Sequence, residues 1–387
     1  MQKVLFLTTN DLFPINSGSL IYSTSIIKYL RSKDTYVTLV NFCKSPQSKS
    51  KIVNNQLQYY NERHEIVLNS KNYLTNLSFK YPYTIKKYYR KEMVQKLHSL
   101  LKGNNYDAII FDHLHMATYI DEVECSNKIL IQHNVESNIW KEYMLSKNGL
   151  IRHLVKFQYS RMIEFEKKSI SKFKYVFTIS DEDKRDLILL NCKANVNVLH
   201  PIIEISRSKT DEEIQILDNS ILFVGDMSWF PNHEAALFLI NKLMPVLREQ
   251  SDITLYIVGK NPGAELIELS KQYKDIIVTG KVDSIDPYYR RCDIFINSVT
   301  SGSGLNIKLV EAMAKGIPVI SSEFGSRGLN IIDKMPIVLY KNVNELKNQI
   351  LHLMDSPIER TNLVSRALSF CYSFFKPNKL FDDIFNI

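Results

Sequence analysis

The stretch from Ser301 to Val319, S-G-S-G-L-N-I-K-L-V-E-A-M-A-K-G-I-P-V, constrains this chain more than any other. The apolar run Ile294, Phe295, Ile296 before it reads as a buried strand. A small-residue loop follows, then about three helical turns, then Gly316 as a C-terminal stop with Pro318 just beyond. Strand, glycine loop and helix N-terminus together make an anion site, because bare amides and the positive end of the helix dipole face one spot. Gly302 and Gly304 would let a phosphate reach the backbone without meeting a Cβ. Lys308 stands about one turn into the helix, where side chains lean back toward the N-terminus, so its ammonium would reach the same anion. Glu311, three residues on and on the same face, would accept hydrogen bonds from hydroxyls near the phosphates. Gly-Ser-Gly is also a common loop, and Glu311 with Lys315 an ordinary i,i+4 surface pair. Spacing alone therefore leaves open both a sugar-nucleotide diphosphate site and a plain turn.

At 387 residues the chain is long enough for two ordinary domains. Its 45% hydrophobic and 23% charged content is that of a soluble globular protein, and apolar runs such as residues 221–224 are far too short to span a bilayer. The first residues do not form a signal peptide. Five scattered cysteines (43, 125, 192, 292, 371), odd in number and without metal spacing, suggest a reduced cytosolic protein. Charge is uneven: residues 1–200 hold 29 Lys+Arg against 18 Asp+Glu, or +11, and the remainder 20 against 23, or −3, which together make the +8 of the chain. Such asymmetry points to a partner carrying negative charge, nucleic acid or an anionic membrane surface.

Residues 3–8, then a loop to Ser19, a helical pattern over 20–30 and a strand over 35–42 make a strand–loop–helix–strand opening, that of a doubly wound sheet. Gly18 stands alone with no G-x-G-x-x-G, so a nicotinamide dinucleotide site is unsupported. Between Lys71 and Lys102 eight Lys/Arg face the single Glu92, interleaved with Tyr73, Phe79, Tyr81, Tyr83, Tyr88 and Tyr89. This pattern fits a solvated helix face with its aromatics in the core. It also fits a surface resting on anionic lipid, with tyrosines at headgroup level. Base stacking is the weaker option, since no RNA-binding signature accompanies it. Strands are predicted at 107–111 and 128–132. The second ends at His133-Asn134-Val135-Glu136, where strand ends of a parallel sheet meet ligands. Asp112-His113-Leu114-His115 is not read as a metal cluster, because a third and fourth ligand are not evident. A basic helical stretch covers 137–172, a strand 175–179, and Ser180 with Asp183 forms a capping pair. Strand 196–199 closes the half, and the acidic stretch 201–219 reads as a linker. The second half repeats the alternation, with strands at 221–224, 253–258, 276–279, 294–296, 317–320 and 337–340 and a helical pattern over 232–249. Two doubly wound domains would leave a cleft lined by strand C-terminal ends.

The segment F-V-G-D-M-S-W-F-P-N, residues 223–232, resembles the Gly-x-Met-x-Trp-x-Pro-Asn opening of many family 4 glycosyltransferase C-terminal domains (glycosyl transferases group 1). Ile257-Val258-Gly259 and Val278-Thr279-Gly280-Lys281-Val282-Asp283 continue in family order. Gly302 to Pro318 is similar to G-x-G-x-x-x-K-x-x-E-A-M-A-x-G-x-P, and Gly325 with Gly328-Leu329 to the loop after it. The N-terminal half is similar in outline, through the Pro14–Gly18 loop, His133-Asn134-Val135-Glu136 and Ser180-Asp181-Glu182-Asp183.

The resemblance implies a GT-B fold, α/β, with two Rossmann-like doubly wound domains facing across a cleft. Residues 1–200 would bind the acceptor, 201–219 link, and 220–365 bind the nucleotide sugar. Residues 366–387 would form a helical segment crossing back to the first domain. It implies retaining transfer from a UDP- or GDP-sugar to a glycan or lipid-linked glycan, in bacterial surface polysaccharide synthesis, without cofactor, obligatory metal or nucleic acid. The protein would be cytoplasmic, or peripheral on the inner face of the plasma membrane. Gly18, Gly225, Met227, Asn232, Gly280, Val282, Gly302, Ser303, Gly304, Leu305, Asn306 and Ile307 would line the donor. Lys308 would hold its diphosphate, Glu311 its ribose hydroxyls, and His133 would meet the sugar near the anomeric centre. Two features depart from the pattern: Ser303 stands where many members carry a second Glu, and His200-Pro201-Ile202 replaces the usual Asn-Gly pair. A GT-B sugar-nucleotide epimerase would share fold and phosphate site but needs carboxylates and a His grouped at the anomeric carbon. A non-catalytic sugar-nucleotide-binding protein would bind donor without hydrolysing it.

Overall fold

The computed structural model describes residues 1–13, 15, 17–44, 58–68, 78, 80–190, 195–202, 217–301, 305–329, 335–375 and 378–385. They fall into two units, each a parallel sheet with helices packed on it. The first comprises Met1–Ile15, Ser19–Ile202 and Pro377–Ile387, the second Asn16–Gly18 and Ile203–Lys376. Most of the expected linker, and Pro14, lie outside the described residues.

The first sheet holds β1 (Lys3–Thr8), β2 (Tyr36–Cys43), β3 (Glu62–Val67), β4 (Ala108–Asp112), β5 (Lys128–Gln132), β6 (Tyr175–Thr178) and β7 (Asn195–Val198) in the order β3-β2-β1-β4-β5-β6-β7. The runs 4–7, 109–111 and 129–131 are buried on both faces, which is why they read as continuous apolar runs rather than alternating ones. The order reverses between β1 and β4, whose last residues, Thr8 and Asp112, lie side by side. In doubly wound sheets ligands sit beyond the carboxyl ends of the strands at such a reversal. The second sheet holds β8 (Ser220–Val224), β9 (Thr254–Val258), β10 (Ile276–Gly280), β11 (Ile294–Asn297), β12 (Val319–Ser322) and β13 (Val338–Tyr340). Their order is β10-β9-β8-β11-β12-β13, with the reversal between β8 and β11.

Two local expectations need correcting, and one strand carries no prior reading. The polar stretch after β2 contains a strand: β3 lies at the sheet edge with most of its side chains half-buried, so its sequence E-R-H-E-I-V carries no apolar signal. The basic stretch 137–172 is two helices, Glu136–Leu145 and Gly149–Ile170, because Gly149 takes a left-handed φ of 59° that breaks the run. The pattern over 232–249 is interrupted by a π-turn, Leu239–Leu243, next to Pro245, which has no N–H to give the α-helical ladder. In the tyrosine-rich stretch, Tyr73 and Phe79 lie outside the described residues, while Tyr81, Tyr88 and Tyr89 pack against the core of the first unit. Those three rings are therefore not a lipid-facing belt.

The helix Lys379–Ile384 packs on the first unit. Phe381 meets Phe177 edge-on at 5.5 Å, the Asn378 amide donates to the Val198 carbonyl, and the Tyr29 hydroxyl donates to Asp382 at 2.7 Å. Among the described residues no helix is long and apolar enough to cross a membrane.

Candidate functional site

In the second unit the feature to explain is the helix Ile307–Lys315. Asn306 is its N-cap, its side-chain oxygen accepting from the Leu309 N–H at 3.4 Å, and Gly316 ends it at φ 76°. Asn306 in turn donates to Asn297 at 3.0 Å, at the end of β11, and Asn297 donates to the Gly325 carbonyl at 2.9 Å and to Ser321 at 3.2 Å. A Cβ at Gly325 would come 2.4 Å from the Asn297 amide, so glycine is required where this buried side chain ties the helix start to the loop after β12. Asn297 is the organising residue here, and it carries no local sequence pattern that reveals it.

Lys308 is partly buried in the first turn of this helix. Burial pulls its pKa down to about 8, with Lys260 adding to the effect and Glu311 and Asp226 opposing it. Lys260 and Asp226 lie just past β9 and β8, so two cations and one carboxylate converge at the strand ends on either side of the reversal. Lys260 was not foreseen from the sequence. Glu311 is also partly buried: burial raises its pKa to about 7, and it accepts from the Tyr289 hydroxyl at 3.2 Å. Lys315 pairs with Asp286 at 3.1 Å, so the plain Glu311–Lys315 surface pair is not what forms.

The remaining expected donor residues divide. Gly302, Ser303 and Gly304 lie outside the described residues. Leu305, Ile307 and Met227 bury their side chains, so any contact with a ligand would be through backbone. Gly225 and Asn232 build a loop: the Asn232 amide donates to the Asp226 carbonyl at 3.0 Å, and its side chain would lie only 3.0 Å from a Cβ at 225. Gly280 ends β10 at φ 68°, and Val282 follows it, half-buried. Gly18 groups with this unit, where a Cβ would sit 3.0 Å from that of Ile307.

In the first unit the strand ends at the reversal carry a tight polar cluster. Asp112, fully buried, accepts from the Thr8 and Ser23 hydroxyls, both at 2.7 Å, and from His133 Nε2 at 2.6 Å. A carboxylate can only accept, so Nε2 of His133 carries the proton. Burial would raise the Asp112 pKa, but His133, His113 and the Ser23 hydroxyl hold it at about 2. His113 stacks on His133 with ring centroids 3.7 Å apart and lies near Ser19 Oγ at 3.1 Å, and burial pulls its pKa to about 3. Its backbone is held at φ 77°, a strained value for a non-glycine residue of the kind that gathers at working sites.

Asp112, His113 and His133 thus place their ligand-type atoms within 4.8 Å of one another and could hold a metal ion. His133 is the third group that the D-H-L-H motif lacked in sequence. The carboxylate already holds three donors, so as it stands the cluster is a network that orients His133. His115 faces Tyr88 instead, ring to ring at 5.1 Å.

The segment after His133 is fastened from below. Glu166, fully buried on the helix Gly149–Ile170, accepts from the N–H groups of Glu136 and Ser137 at 2.9 and 3.1 Å and from the Gln132 amide. It caps the helix that follows His133 from outside that helix, and burial beside Glu166 pushes Glu136 up to about 8. Glu166→Ala leaves three donors unpaired, two of them buried, and is expected to cost about 2–4 kcal/mol, measured by urea unfolding. Wild-type stability in that variant would dismiss the role.

Residues 218–356 match the family model described as Glycosyl transferases group 1. A curated relative, an uncharacterised 44.6 kDa protein in a cps region of Klebsiella pneumoniae, is 23% identical over the whole of this chain and 99% of its own. Among solved structures, sucrose-phosphate synthase from Thermosynechococcus elongatus superposes with a TM-score of 0.71 at 15% identity, covering 99% of this chain and 96% of that one. HepE from Anabaena, solved with UDP and glucose, gives 0.67 at 14% identity over the whole of both chains. A mutant of TarM from S. aureus, solved with fondaparinux, alpha-GlcNAc-glycerol and UDP, gives 0.71 at 11%, again over the whole of both. At such identities the likeness is one of fold, that of the GT-B glycosyltransferases.

Proposed function

We propose that this protein transfers a sugar, with retention, from a nucleoside-diphosphate sugar to a glycan or lipid-linked glycan in surface polysaccharide synthesis. The observation that carries the reading is Lys308, a partly buried ammonium in the first turn of a capped helix, within the segment that matches the glycosyl transferases group 1 model. Departure of the nucleoside diphosphate puts charge on its β-phosphate as the sugar becomes oxocarbenium-like. A helix N-terminus and an ammonium fixed at that position stabilise the departing charge more than the ground state. Glu311 is assigned to the ribose hydroxyls. His133, its ring fixed by Asp112, is assigned to the transferred sugar. A relative named for a cps region and neighbours solved with UDP are in keeping with this reading.

The Asp112–His133 grouping is the one observation that favours a sugar-nucleotide epimerase. A carboxylate held at about 2 and bonded to three donors is a poor base, which weighs against it. A thermal-shift screen of nucleotide sugars, followed by product analysis, separates the readings. We expect one UDP- or GDP-sugar to raise the melting midpoint and to be slowly hydrolysed. Conversion to an epimer, or binding with no turnover, would overturn the proposal.

A further inference from the structure

The helices Glu136–Leu145 and Gly149–Ile170 form a hairpin whose tip is unusually apolar for an exposed surface. Leu150 is 84% exposed, Leu154 70%, Phe157 59%, Leu145 59% and Ile151 58%. At 100° per residue, Leu150, Leu154 and Phe157 fall in a sector about 60° wide. The residues that anchor the same helix to the core, Val155, Met162, Glu166, Ser169 and Ile170, lie in a sector centred about 140° away. The stripe is therefore turned away from the protein's own core and is not its frayed edge.

Its charge has one sign. Between Glu142 and Glu164 the chain carries Lys147, Arg152, Lys156 and Arg161 and no carboxylate. Two of these cations lie over aromatic rings of the same hairpin, Lys147 over Tyr143 at 4.9 Å and Arg161 over Phe157 at 5.4 Å. Arg161 also donates to the carbonyls of Ser78 and Tyr81, which fixes the hairpin to the body of the unit.

We propose that this hairpin tip seats on an anionic lipid bilayer, with Leu150, Leu154 and Phe157 in the headgroup–acyl boundary and Lys147, Arg152 and Lys156 among the phosphates. An apolar stripe flanked by cations alone matches a surface that is anionic outside and apolar just beneath. The helix is too polar to span, so the contact is interfacial. The inference rests on this surface and not on the donor chemistry, and its test needs no turnover.

The experiment is co-sedimentation of the full chain with vesicles of equal parts phosphatidylglycerol and phosphatidylcholine, against phosphatidylcholine alone. Wild type is expected to bind the anionic vesicles and to be released by salt. Leu150→Ser with Leu154→Ser is expected to weaken partition about 10-fold or more. Lys147→Gln with Lys156→Gln is expected to weaken it about 5-fold for each charge. Both pairs should keep the wild-type circular dichroism spectrum. Equal binding to neutral vesicles, or undiminished binding by both variants, overturns the proposal. So does a wild-type dimer that the Leu150/Leu154 variant abolishes, since a second copy would then cover the stripe.

Discussion

A protein carrying Lys308→Met is expected to be more stable than wild type and to have lost most of its hold on the donor. The Lys308 pKa is about 8 in the folded chain against about 10.5 when unfolded. Below pH 8 the ammonium is charged in both states, and the cost of burying it is fully present. Between 8 and 10.5 the unfolded chain binds the extra proton, so stability climbs with pH until the cost is gone. Methionine removes that cost at neutral pH, a gain of about 1–3 kcal/mol. The same substitution removes a charge-assisted phosphate contact of about 1.5–3 kcal/mol, so kcat/KM should fall about 10- to 100-fold. Donor affinity in wild type should likewise weaken as pH rises through 8, and the variant should not share that dependence. Calorimetry with and without the donor reads both effects. A variant whose melting midpoint still rises with donor as wild type does would remove Lys308 from the site.

Loss of the His133 ring should be the more damaging change to turnover. His133→Ala is expected to lower kcat about 100-fold while donor Kd moves little, the pattern of a group that acts mainly in the transition state. Asp112→Asn keeps an acceptor for His133 Nε2 but removes the charge that fixes its tautomer, and should reproduce part of that loss. Asp112→Ala breaks the buried cluster and should destabilise the fold by about 3–5 kcal/mol. Because the Asp112 carboxyl is held below its ordinary value, its stabilising share is present above pH 4 and fades as pH falls toward 2. Unchanged kcat with a raised KM in His133→Ala would make the ring a binding contact only.

What could be read in advance follows the range of the interactions. β1 and β5 were legible to the residue because strands buried on both faces must be apolar throughout, and Lys308 with Glu311 because a single helix sets their spacing. The Asp112–His133 contact joins residues on neighbouring strands, so it becomes visible only once β4 is known to lie beside β5. Asn297, Lys260 and Glu166 are single polar residues with no repeat or motif around them. Their roles come from partners brought by topology, such as Gly325, Asp226 and the Ser137 N–H. β3 escaped because an edge strand has little apolar surface to advertise.

The first unit is completed by residues that follow the whole of the second unit in sequence, with Phe381 fully buried beside Phe177. During synthesis that half therefore emerges early but cannot close its core until residues 378–385 have followed the second unit out of the ribosome. In the interval the surface awaiting Phe381 and Phe385 stays open, a natural place for a chaperone to hold the nascent chain. A message cut short after the second unit would yield a chain with that unit finished and the first without Phe381 and Phe385.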